Sequence, residues 1–128
     1  MSDHELPRFE RLSIGDRAQV SRRFEAADLE QWCRLAGHDG VWPEEVPEPL
    51  IAALFSYLLG EELPGHGTNY LKQKMRFHAA GRPGETLTAT VTVSRLRRDK
   101  ALVYLDTRCT GEDGRLICDG DALVLFQC

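Results

Sequence analysis

No stretch of this chain is apolar for long enough to cross a membrane. The longest fully apolar run is Leu50–Phe55, and admitting Ser56 extends it only to Leu59. A spanning helix needs about twenty such residues. The opening Met-Ser-Asp-His-Glu is acidic and polar, unlike the basic and apolar start of a secretory leader. Cysteine is scarce: Cys33, Cys109, Cys118 and Cys128. Their spacing matches no zinc-binding pattern, so no metal is expected. Reduced thiols in a cytoplasmic protein are the expected state, with Cys118 packed as a small hydrophobe. A large charge of either sign is also missing. Sixteen basic residues face 20 acidic ones, for a net charge of -4. Thirteen of the sixteen are arginine but lie scattered among acids, so nucleic acid is not an expected partner. There is no internal repeat and no low-complexity tail.

What remains is 128 residues, 42% of them hydrophobic and 28% charged. That is one globular domain spanning residues 1–128, with its core over about 9–126, large enough to bury roughly two thirds of its unfolded surface.

Phe9 to Phe24 reads as a short strand at Leu12-Ser-Ile14, a turn at Gly15-Asp16, and a second strand through Ala18-Gln-Val20. Glu25 to Ala36 reads as a helix with the apolar stripe Leu29, Trp32, Cys33, Leu35 and Ala36. Asp28 sits in its first turn and Gly37 stops it. Residues 38 to 49 hold three prolines and a glycine, which predicts an irregular loop. Leu50 to Leu59 has no charge and no proline. Its length and alanines predict a helix buried on nearly all sides. In a chain this short, a curved antiparallel sheet is the economical wrapper. The remaining sequence predicts it. Tyr70 to Ala79 alternates Leu71, Gln73, Met75 and Phe77 against Tyr70, Lys72, Lys74 and Arg76. Glu85 to Arg97 puts Leu87, Ala89, Val91 and Val93 on one face. Ala101 to Cys109 follows, then a turn at Glu112-Asp-Gly114. A last strand carries Leu116, Cys118, Gly120, Ala122, Val124 and Phe126 on one face. The class is α+β, with about six strands around a central helix. Free edges predict a homodimer or a higher even oligomer.

Three segments carry a family resemblance. They are Phe24-Glu-Ala-Ala-Asp28 through Leu35-Ala-Gly37, the run Leu50-Ile-Ala-Ala-Leu-Phe-Ser-Tyr-Leu-Leu-Gly60, and Gly67-Thr-Asn-Tyr-Leu-Lys-Gln-Lys-Met-Arg-Phe77 followed by Pro83-Gly-Glu-Thr-Leu-Thr-Ala-Thr-Val91. Together they resemble the MaoC-like group of the hot-dog fold, which holds the (R)-specific enoyl-CoA hydratases and related acyl-thioester dehydratases. The resemblance implies a curved antiparallel sheet wrapped around a central helix. It also implies hydration of a trans-2-enoyl thioester carried by coenzyme A or an acyl carrier, or the reverse dehydration, with no cofactor.

In that family an Asp and a His five positions apart activate the water, and an amide at the start of the central helix stabilises the thioester oxygen. Here the loop reads Gly37-His-Asp-Gly-Val-Trp-Pro-Glu-Glu-Val46, about a dozen residues shorter and without the family's Asn-Pro. His38 and Asp39 are the candidate acid-base pair, or a polar helix end. Glu44, five positions after Asp39, is the third catalytic candidate. Pro49 has no N–H to offer, so Leu50 or Ile51 is the candidate oxyanion donor. Trp42 is a candidate lid or plug, and Ser56 could face a ligand or satisfy a backbone carbonyl. Lys72, Lys74 and Arg76 are candidates for the phosphates of coenzyme A or a carrier, or a solvated face. Two alternatives stand beside the hydratase: a thioesterase in which Glu44 or Asp39 activates water, and a non-catalytic acyl-thioester-binding or structural homodimer.

Overall fold

The computed structural model describes residues 8–37 and 44–126. His38, Asp39 and Trp42 therefore lie outside the described residues. A short 3-10 turn, Arg8–Arg11, leads into β1 (Arg17–Arg23), α1 (Ala26–Leu35) and α2 (Glu48–Tyr57), and α2 continues as a wider π-helical turn, Leu58–Glu62. Four strands follow: β2 (Thr68–Phe77), β3 (Thr86–Arg97), β4 (Leu102–Thr110) and β5 (Leu116–Phe126). They form one antiparallel sheet of five strands in the order β1-β3-β4-β5-β2.

The sheet curls around α2. Ile51, Leu54, Phe55, Leu58 and Leu59 are all buried against Leu87, Ala89, Val91 and Val93 of β3, Val103 and Leu105 of β4, and Val124 of β5. Each such side chain contributes about 1.5–3 kcal/mol on leaving water. The helix is thus wrapped on one side only: Ala53, Ser56 and Tyr57 are exposed, which corrects the expectation of burial on nearly all sides. Its start is set by Pro47 at the N-cap with Pro49 inside the first turn, where a missing N–H costs nothing. α1 begins with a capping box. Glu25 and Asp28 exchange side-chain and backbone contacts, and the Glu25 N–H donates to Asp28 Oδ2 at 2.9 Å.

Three details correct the sequence expectation. Leu12-Ser-Ile14 is not a strand: the chain makes a 3-10 turn before it and a turn after it, with Gly15 at φ +97°, so the described sheet has five strands. In β2 the register with β5 shifts between Tyr70 and Lys72, which leaves Leu71 as a bulge residue. The bulge resets the alternation. Tyr70, opposite buried Val124, takes the parity of Gln73, Met75 and Phe77, while its side chain, like that of Leu71, stays exposed. A second shift, between Cys109 and Thr110, leaves Ile117 without a register partner. Ile117 is fully buried while Leu116 is only half-buried.

Candidate functional site

Among the described residues, a cleft of about 210 Å³ lies where α2 begins. It is bounded by Glu45, Val46 and Glu48, by Ile51, and across from them by Phe77 and the Ala79–Gly81 segment. Backbone contacts fix both walls. The Val46 N–H donates to the Gly81 carbonyl at 2.7 Å, tying the entry of α2 to the turn after β2. The Leu50 N–H donates to the Pro47 carbonyl at 3.0 Å, and the Ile51 side chain is buried in the core. By position, the amide left over at this helix start is that of Glu48, the first helical residue.

The wall opposite the helix rests on a charge cluster that the sequence reading passed over. Glu85 is 9% exposed. Its carboxylate accepts from Arg115 Nη2 at 2.6 Å, from the Arg82 N–H at 2.6 Å and from the Glu112 N–H at 3.1 Å. Burial pushes the Glu85 carboxyl up, but the guanidinium and the two amides outweigh it and hold it below the usual carboxylate range. Arg115 also reaches Asp113 at 2.8 Å and donates to the Ala80 carbonyl at 2.7 Å. One guanidinium thus fastens the β4–β5 turn to a cleft-lining residue. Gly111 makes room for it. A Cβ there would stand 2.5 Å from Glu85 Oε1 and 3.0 Å from Arg115 Nη2. The signal was present: Glu85 has the parity of Leu87, Ala89, Val91 and Val93, so an acid appears where the pattern calls for a core residue.

The described candidates separate. Glu44 is exposed beside the cleft. Ser56 is exposed on α2 and accepts from the Tyr70 hydroxyl at 3.2 Å. Its described partner is thus a side chain rather than a backbone carbonyl. Burial raises the Tyr70 pKa, partly offset by the Ser56 contact. Tyr70→Phe is expected to lower stability by about 1 kcal/mol, read as a small fall in the urea midpoint with unchanged slope. Lys72, Lys74 and Arg76 lie on the outer face of β2, across the sheet from the cleft. Lys74 stands opposite Asp121 and Arg76 opposite Asp119, with Arg76 Nε 3.9 Å from Asp119 Oδ1. Asp119 also accepts from His78 at 2.8 Å. The basic stripe therefore faces an acidic one. Further along, Arg97 pairs with Asp99 and Arg98 with Glu10. Among the described residues no three His, Cys, Asp or Glu side chains gather to hold a metal, and no helix is long and apolar enough to cross a membrane.

A second concavity, of about 360 Å³, runs between α2 and β1. It is lined mainly by Val20, Phe24, Leu50, Ala53, Leu54 and Tyr57. It is apolar and lies along the same helix that borders the cleft.

No family profile matches the chain. Individual proteins do. It is 35% identical over 126 residues to the (R)-specific enoyl-CoA hydratase of Aeromonas caviae, an alignment covering 88% of this chain and 94% of that one. The solved (R)-hydratase from A. caviae superposes with a TM-score of 0.83 at 34% identity, covering 92% of this chain and 99% of that one. An unliganded R-hydratase from Pseudomonas aeruginosa shares the fold, with a TM-score of 0.83 at 24% identity over 92% of this chain and 84% of that one.

Proposed function

The chain belongs to the (R)-specific enoyl-CoA hydratase family of hot-dog proteins, and from that we propose that it adds water across the double bond of a trans-2-enoyl thioester, or removes water in the reverse direction. The near full-length similarity to the A. caviae enzyme, in sequence and in fold, carries this reading. Hydration delivers hydroxide to the β-carbon and a proton to the α-carbon, while negative charge builds on the thioester oxygen. It needs a base for the water and an N–H donor for the oxygen. The cleft at the start of α2 is suited to the second task. Its helix end favours negative charge, and we assign the donor to the Glu48 N–H, because Pro49 has none and that of Leu50 is engaged.

For the base we assign Asp39, with His38 sharing the water. Glu44, beside the cleft, is the alternative. In sequence His38 and Asp39 fall between Gly37 and Glu44, and Glu44 is next to cleft-lining Glu45. The apolar concavity along α2 would take the acyl chain. Edge strand β2 would pair with its counterpart in a second copy and extend the sheet across a homodimer.

One observation favours a second reading, a non-catalytic acyl-thioester-binding protein: at the helix start one amide is absent and the next is occupied. A single experiment separates the two. Purified protein is incubated with crotonyl-CoA while enoyl absorbance and free thiol are followed together. Loss of enoyl absorbance without thiol is the expected result, and Asp39→Asn should slow it about a hundredfold. Thiol release would mean hydrolysis. Binding of the thioester with neither change would establish the second reading.

A further inference from the structure

We propose that Cys109 and Cys118 are a redox pair, which a peroxide-type oxidant converts into a cross-strand disulfide within the β4–β5 hairpin. The two residues are direct register partners, and both are fully buried free thiols. Register partners in an antiparallel ladder have Cα atoms about 4.5 or 5.5 Å apart. Both values fall inside the roughly 4.4–6.8 Å range that a disulfide spans, and the register shift beside the pair, between Cys109 and Thr110, loosens the ladder there. The sulfurs already interact. The Cys118 thiol donates to Cys109, which lowers the Cys109 pKa despite its burial, and the same contact with burial raises that of Cys118. The contact favours ionisation of one sulfur at the expense of the other, and either can serve as the first thiolate.

The step balances as follows. The thiolate of one cysteine attacks the peroxide, giving a sulfenic acid and releasing hydroxide, which leaves as water with one proton. The thiol of the other cysteine then displaces the sulfenic hydroxyl as a second water. Two thiols and one peroxide become one disulfide and two waters, with both electrons taken up by the peroxide. Burial makes the reaction slow, because oxidant enters only when the hairpin opens.

The position gives the bond its consequence. Cys118 is also the register partner of cleft-lining Phe77 on β2. Cys109 and Cys118 close the base of the hairpin whose turn carries Arg115, and Arg115 holds the Ala80 carbonyl in the cleft wall. A bond across that base ties the turn, and with it the wall, to the sheet. Nothing in this depends on whether the chain is a hydratase or a binding protein.

The test is intact-mass and peptide mapping under non-reducing conditions after exposure to hydrogen peroxide. The Cys33→Ser/Cys128→Ser protein is used so that only the pair remains, and the wild-type chain is mapped in parallel in case the buried Cys33 site does not tolerate serine. The expected result is a loss of about 2 Da, the mass of two hydrogens. A linked Cys109–Cys118 peptide should accompany it, with slower hydrogen exchange at residues 110–117, both reversed by dithiothreitol. Unchanged mass in folded protein, oxygen added to single sulfurs without a linked peptide, or linkage only to Cys33 or Cys128 in the wild type would each overturn the proposal.

Discussion

Replacing Arg115 by methionine is expected to destabilise the protein by roughly 3 kcal/mol at neutral pH, because it leaves the buried Glu85 carboxylate without its counter-charge. For a domain of this size that is a fall in melting temperature of about 10 °C. The sign of the pH dependence follows from the native state. Glu85 titrates below its unfolded value, so the stability it contributes is present above the unfolded carboxylate pKa of about 4.3. That contribution is lost as pH falls through the lower, folded pKa. In the variant the carboxyl loses the group that held its pKa down, and protonation relieves the burden. The melting-temperature gap between wild type and variant should therefore narrow as the pH is lowered past about 4 to 5. A double variant, Glu85→Gln with Arg115→Met, should recover part of the loss. The glutamine oxygen can still accept from one of the Arg82 and Glu112 N–H groups, which donate to different carboxylate oxygens in the native protein, and no charge is left stranded. A gap that does not change with pH would show that the arginine stabilises through its aliphatic stem instead.

Gly120→Ala is expected to cost more, roughly 4 kcal/mol, at the upper end of what one substitution does. A Cβ built on Gly120 stands 1.9 Å from the Lys74 carbonyl oxygen and 3.0 Å from the Met75 Cα. These are backbone atoms of a paired strand, so no rotamer change relieves the clash. β2 must move away from β5, and ladder hydrogen bonds along Lys74–Phe77 are lost with it. Soluble yield and the chemical-denaturation midpoint read this directly. A variant as stable as the parent would mean that β2 shifts outward at no cost. By contrast Gly60→Ala, at a position where a Cβ meets nothing within 4 Å, should be tolerated.

The central helix and the sheet around it were legible because composition leaves little choice. The charge-free run Leu50–Leu59 has to bury at least one face, and alternating Thr and apolar residues in β3 supply a sheet with one wet face. The strand faces were legible only where pairing is regular. The bulge at Leu71 and the extra residue Ile117 each turn the alternation over, and nothing local announces them: the choice is made by the partner strand. The cleft was legible in part. The expectation of a site at the start of the central helix came from the family resemblance, and a cleft lies there. The sequence could not say that Leu50 would spend its amide on Pro47, since that is a matter of backbone geometry. The phosphate stripe on Lys72, Lys74 and Arg76 read as basic because Asp119 and Asp121, which face it, lie more than forty residues away in the chain.

The strand order bears on how the chain reaches this state. Among the described strands β2 stands at an edge, and its neighbour in the sheet is β5, the last of the five in sequence. During synthesis β2 leaves the ribosome early and waits with both edges open until β3, β4 and β5 have followed. The helix it should help enclose stays partly uncovered for the same interval. Closure of the barrel-like wrap is therefore a late, long-range event, slow relative to helix formation. Until β5 arrives to set Asp121 and Asp119 opposite Lys74 and Arg76, the charges on that face of β2 are unmatched and of one sign, which discourages two nascent chains from pairing through β2 before either has folded.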